Sequence, residues 1–237
     1  MQAQPNQTRG IVAGDAKRLQ FRLGNIEPVS SAGNGARKST SLDRIGRFYD
    51  PQFEFTGRWE KSILREIRKG RFGKAGLDEF VREKDLIDAG CGRQTLIDAI
   101  VQVHEMGARN YLGIDLVMPT DPQSVMQEVE KTVTPNMGVL LIEAEMIAVL
   151  KAIPDKSPIV VMMNQVMSRE MFFRKGIKDA AGLSAALECE LARTVASGGI
   201  VFGAISAPLE PMAGVNWDAK WERVSGKNNA LVVLARK

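Results

Sequence analysis

Histidine and cysteine are nearly absent from this chain of 237 residues, which holds one of the first and two of the second. His104, Cys91 and Cys189 fall in no metal-type spacing, so a zinc or non-haem iron centre is excluded and no metal is expected. The two cysteines allow one bridge on paper, but nothing else suggests a secreted disulfide scaffold. Long apolar runs are also missing: none approaches the roughly 18 residues that cross a bilayer. The opening stretch, MQAQPNQTRGIVAGDAKRLQ, has no apolar segment of the signal-peptide type, which points to the cytoplasm and away from membranes. Aromatic residues make up 6% of the chain and are too sparse in its first forty positions to form a base-stacking platform.

What is present is ordinary globular material, 44% apolar and 25% charged, enough for a substantial core. The length suits one large α/β domain with an extension. The net charge of +4 is unevenly spread. Residues 1–84 carry 17 Lys and Arg against 10 Asp and Glu, while the remainder carries 15 against 18. A basic front third is in the first instance a solvated arm and a charged helix face; its alternative is a surface for RNA or another anion.

Three regions follow from the pattern. Residues 1–40 are rich in Gly, Ser, Asn and Gln without sustained periodicity, and predict a flexible basic arm. Residues 41–83 predict a helical cap, with Trp59, Ile63, Leu64 and Ile67 along one face and Gly70 as a stop. From residue 84 to 237 short β-rich runs alternate with helical stretches. Strands are predicted at 85–88, 110–115, 137–142, 158–163, 200–205 and 230–235, with helices at 95–105, 123–131, 145–151 and 178–196. This alternation predicts a doubly wound, mostly parallel seven-stranded sheet. The last two segments lie too close for a helical crossover, so the sheet should close with an antiparallel hairpin strand.

The stretch LIDAGCGRQ carries the chemistry. A strand runs into Asp88, and Gly90 and Gly92 follow where the chain must turn sharply and let a ligand approach its backbone. A carboxylate at Asp88 would repel a pyrophosphate seated at a helix N-terminus, but suits a cationic or amino-bearing ligand. The next strand, YLGIDLV, ends in Asp115, placed to accept both hydroxyls of a ribose. The third strand leads to Glu145 and Met146, an acceptor for an exocyclic amine beside a soft apolar cover. Each acid alone is as readily a helix cap. Three in order, at the ends of three strands, are not.

Together these segments resemble class I S-adenosylmethionine-dependent methyltransferases. LIDAGCGRQ is similar to the family's Asp-x-Gly-x-Gly-x-Gly motif, with Gln94 in place of the third glycine. YLGIDLV, IEAEM, PDKSPIVVMMNQV and ECELARTVASGGIVFG are similar to its second to fifth segments. The resemblance implies S-adenosylmethionine as cofactor, with its methionine part at Asp88 and the Gly90–Cys91–Gly92 backbone. It implies the ribose at Asp115 and Leu116, the adenine at Glu145 and Met146, and a further contact at Asn164. The segment after strand four reads MNQV rather than the Asp/Asn-Pro-Pro-aromatic of base-amine methyltransferases, and Asn164 has a structural role as its first reading. Tyr49, Arg58 and Trp59 in the cap are candidates for the acceptor side, with packing on the sheet edge as the alternative.

The implied reaction is methyl transfer to a nucleophilic acceptor, a small molecule first. The alternatives are a binding protein without turnover, or an RNA or protein methyltransferase using the basic arm. A nicotinamide dehydrogenase is disfavoured by Asp88 and by the hairpin ending. The sequence names no catalytic base and no oligomeric state. His104 reads as a surface group near a helix C-terminus. Cys91 reads as a small packing residue, Cys189 as core, and Met162, Met163 and Met167 as packing for sheet and pocket.

Overall fold

In the computed structural model, the structure describes residues 9–13, 27–28, 76–92, 96–115, 122–133, 137–144, 146–163, 180–203, 220–223 and 232–237. The strands are β1 (Arg9–Ala13), β2 (Glu27–Pro28), β3 (Asp85–Ala89), β4 (Asn110–Asp115), β5 (Gly138–Glu143), β6 (Ile159–Met162), β7 (Ile200–Gly203), β8 (Trp221–Arg223) and β9 (Val232–Arg236). The helices are α1 (Leu77–Val81), α2 (Leu96–Glu105), α3 (Pro122–Thr132), α4 (Met146–Ala152) and α5 (Ala180–Thr194).

The strands form one sheet in the order β2-β1-β5-β4-β3-β6-β7-β9-β8. From β5 to β7 all neighbours are parallel, and β9 then joins β7 and β8 antiparallel. The seven strands β3 to β9 form the doubly wound array with its antiparallel closing hairpin, and β1 and β2 extend the same sheet to nine strands. The chain fills β3, β4 and β5 outward in one direction and then returns to place β6 on the other side of β3. Such a reversal opens a crevice at the carboxyl end of β3, because the loops on either side of it leave toward opposite faces.

The central strands are apolar almost throughout since both faces are covered. β3, β4 and β6 are buried at every position. On one face Leu86, Tyr111, Leu141, Val160 and Phe202 pack under α1, α2 and α3. Helix α2 turns Leu96, Ala99, Ile100 and Val103 toward them, the three-and-four spacing of an amphipathic helix. On the other face Ile87, Leu112, Ile142, Val161 and Val201 pack under α4 and α5 with Trp221. The element limits differ from the expected ones by a residue or two, the scale on which helix and strand ends fray.

Two findings depart from the sequence reading. The first forty residues supply β1 and β2, and β1 lies antiparallel along the outer edge of β5. Cys189, expected in the core, is exposed: it lies on α5 between the buried Leu187 and Glu188 and the buried Leu191. Neither cysteine takes part in a disulfide. Of the cap, α1 falls within the described residues; positions 41–75 do not.

Candidate functional site

The first turn after β3 is built by two glycines. Gly90 and Gly92 have φ of 83° and 66°, a left-handed backbone that side chains with a Cβ adopt only under strain. The turn folds back onto the end of β4. Gly90 and Cys91 both donate their amides to the Ile114 carbonyl, at 2.7 and 3.1 Å. Gly92 donates its amide to Oδ2 of Asp115 at 2.9 Å. An added Cβ at Gly92 would meet no described atom within 4 Å, so this side of the turn is open.

Cys91 points the other way. Its side chain is buried, and Sγ lies 3.2 Å from the place a Cβ on Gly113 would occupy. Its side chain packs in the buried cluster on that face of the sheet.

Asp88 lies one position before the end of β3 and is 2% exposed. Its Oδ2 accepts a hydrogen bond of 2.6 Å from the hydroxyl of Tyr111 on β4. The sheet register sets Asp88 beside Gly113, and the Tyr111 ring reaches it by lying across that glycine. A Cβ at Gly113 would stand 3.1 Å from Cε1 of the ring and 2.8 Å from Cδ2 of Leu141. The tyrosine and the glycine are thus one device, and neither was singled out from the sequence. The available signal was their spacing: two residues apart in a strand put both on one face.

Asp115 closes β4 and Glu143 closes β5, and the register pairs them directly. The Ala144 amide donates to the Asp115 carbonyl at 2.9 Å, which ties the exit of β5 to the exit of β4. Glu143 is partly exposed, and the second acid of the run LLIEAE, Glu145, follows two positions beyond the strand end. Met146 opens α4, partly buried against the second core. Leu116, Glu145, Asn164, Tyr49, Arg58 and Trp59 lie outside the described residues, as does Gln94.

The structure therefore brings together Asp88, Gly90, Cys91, Gly92 and Asp115 at the carboxyl ends of β3 and β4, with Glu143 beside them. His104 is in the last turn of α2, at the opposite end of that helix from the glycine turn. Another ionic group, at the amino end of the same strands, is structural. Arg109 donates from Nε and Nη2 to the two oxygens of Asp85, both at 2.8 Å, and Asn110 donates to Oδ1 at 2.6 Å. These hydrogen bonds to Asp85 hold the Arg109 guanidinium above its ordinary pKa. Among the described residues no three His, Cys, Asp or Glu side chains are grouped to hold a metal ion. No described helix is long and apolar enough to cross a membrane.

No protein-family model matches the chain, and no curated protein sequence matches it. Solved structures do. A candidate type 11 methyltransferase from Sulfolobus solfataricus is 16% identical, with a TM-score of 0.41 over 75% of this chain and 92% of that one. The candidate methyltransferase yhhF from Escherichia coli is 13% identical, with a TM-score of 0.47 over 78% and 89%. A variant 16S rRNA (adenine(1408)-N(1))-methyltransferase from Catenulisporales acidiphilia, solved with its cosubstrate SAM, is 15% identical, with a TM-score of 0.38 over 73% and 89%. Methyltransferases recur among these structural neighbours.

Proposed function

We propose that the crevice at the carboxyl end of β3 binds S-adenosylmethionine and that the protein transfers its methyl group to a nucleophilic small molecule. The observation that carries this reading is the juxtaposition of an open two-glycine turn with two acids at the ends of adjacent strands, Asp88 and Asp115. A pyrophosphate seated at the turn would meet repulsion from Asp88, while Asp115 suits a ribose diol. A ligand with an ammonium, a sulfonium and a ribose diol has a use for both.

The residues present fit that cofactor. Asp88 faces the amino-acid and sulfonium end, the Gly90–Gly92 backbone allows close approach, and Asp115 with Leu116 takes the ribose. Glu145 and Met146 belong to the adenine side and Asn164 to a further contact with the cofactor. Tyr49, Arg58 and Trp59 belong to the acceptor side. Bound here, S-adenosylmethionine supplies a methyl group already activated as a sulfonium. The chain's share is to orient the two reactants in line and to exclude water. With the single histidine at the far end of α2, the acceptor is one that is nucleophilic by itself or that uses a carboxylate as base.

Calorimetry with S-adenosylmethionine and with NAD tests the cofactor. The wild type should bind the first and not the second, and Asp115→Ala should weaken the first by at least about tenfold, the loss of one to two hydrogen bonds. Binding of NAD alone, or of neither, ends the reading. Transfer of labelled methyl into small-molecule, RNA and protein pools then locates the acceptor. Label in RNA that is lost on deleting residues 1–40 and falls steeply with salt would move the assignment to RNA. Tight binding with no label in any pool would make the protein a non-enzymatic binder.

A further inference from the structure

Asp88 is the residue on which the cofactor assignment leans most, and its carboxylate does not stand alone. The Tyr111 phenol, fully buried, donates to Oδ2 at 2.6 Å. We propose that Tyr111 is a positioning residue for the amino-acid end of the cofactor, acting through Asp88; this rests on the binding of S-adenosylmethionine put forward above.

The geometry supports it in three ways. A carboxylate on a strand can rotate about its Cβ–Cγ bond, and its two oxygens are then interchangeable toward a ligand. A phenol held on Oδ2 restricts that freedom and so bears on where Oδ1 points. Second, the ring is itself held. Leu86, Leu141 and Cys91 belong to the same buried cluster, and the absent side chain of Gly113 leaves the channel along which the ring lies. Third, the donor and the turn converge on one strand: Tyr111 orders Asp88, while Ile114 and Asp115, further along β4, anchor Gly90, Cys91 and Gly92. A single strand thus sets both the acid and the backbone loop that would meet the methionine moiety. Preorganisation of this kind strengthens binding without adding a contact to the ligand.

The prediction is selective among ligands that differ only at the end concerned. S-adenosylmethionine and S-adenosylhomocysteine carry the amino-acid group; 5′-methylthioadenosine has the adenosine and the sulfur but lacks it. Tyr111→Phe keeps the ring and removes the hydroxyl. It should weaken the first two by about tenfold, the scale of a hydrogen bond to a charged group, and leave the third unchanged. In Asp88→Asn the further change Tyr111→Phe should have a much smaller effect, because the two act as a unit.

A loss shared equally by all three ligands would show a general packing role and overturn the proposal, as would no loss for any. Failure of the wild type to bind any of the three would instead refute the cofactor reading. Should Tyr111→Phe not fold, the wild-type chain offers a second measurement, since it has two tyrosines, Tyr49 and Tyr111. With 3-fluorotyrosine in both, and Tyr49→Phe to assign them, the Tyr111 fluorine signal should move on adding S-adenosylhomocysteine and not on adding 5′-methylthioadenosine. An unmoved signal with the first ligand, or equal movement with both, rejects the role.

Discussion

At the scale of single residues, the β3–β4 pair shows how little room each end of the sheet leaves for change. At Gly113 even a methyl group would stand 2.8 Å from Leu141, 3.1 Å from Tyr111 and 3.2 Å from Cys91. Gly113→Ala should therefore lower stability by about 1–3 kcal/mol, the usual cost of overpacking, read as a fall in the urea midpoint. It should also displace the Tyr111 hydroxyl from Asp88 and weaken S-adenosylmethionine with it. At the other end, Asp85 is 2% exposed at its side chain and is answered by Arg109 and Asn110. Arg109→Ala removes the charge partner and leaves the amide. A cost of about 2 kcal/mol is expected, below the value for a fully buried pair because the guanidinium is 29% exposed. The bridge holds the arginine pKa above its ordinary value, so its contribution is fully present below the unfolded-state pKa and should be lost only as the pH rises through the folded-state one, far into the alkaline range. Equal Arg109→Ala penalties at pH 7 and pH 9 would agree with this.

At the scale of elements, the two edges of the sheet are secured differently. The β8–β9 hairpin is locked to α5 by side chains. Trp221 is fully buried and donates from Nε1 to Glu188 at 3.3 Å; Lys220 donates to the same carboxylate at 3.1 Å, and Arg236 stacks 5.8 Å above the indole. Trp221→Ala should cost about 3–5 kcal/mol by calorimetric melting, through a large cavity and a buried acid deprived of a donor. The opposite edge is covered by main chain. β1 pairs with β5 over five positions, from Arg9 opposite Glu143 to Ala13 opposite Val139. Removing residues 1–14 would expose the hydrogen-bonding groups of β5 along its length, a template for pairing with another chain. Earlier melting and concentration-dependent self-association in light scattering are the expected outcome; an unchanged monomeric melt would mean that β1 protects nothing. The element types were legible in advance from period alone. The role of β1 was not, since RGIVA is a short run in a polar setting and its partner lies more than a hundred residues away.

At the scale of the whole molecule, ligand binding and stability are linked. A cofactor that binds the folded chain at a hundred times its Kd should add about 2.7 kcal/mol to unfolding and raise Tm by roughly 5–10 °C for a domain of this size. Thermal shift with S-adenosylmethionine should show this in the wild type, and a much smaller rise in Asp115→Ala. The sequence by itself determined the alternation of strand and helix, the glycine turn after β3 and the acids at the ends of β3 and β4. These depend on local period and on which residues tolerate a left-handed backbone, and both are written in neighbouring positions. Tertiary structure alone decided the return of β6 to the side of β3, the strand that the first residues lay along β5, and the exposure of Cys189. It also decided that Asp88 meets Tyr111 and that Asp115, not solvent, receives the Gly92 amide. Those contacts join residues 23 positions apart. They exist because the sheet brings two strands into one register, and register is set by the packing of both faces at once.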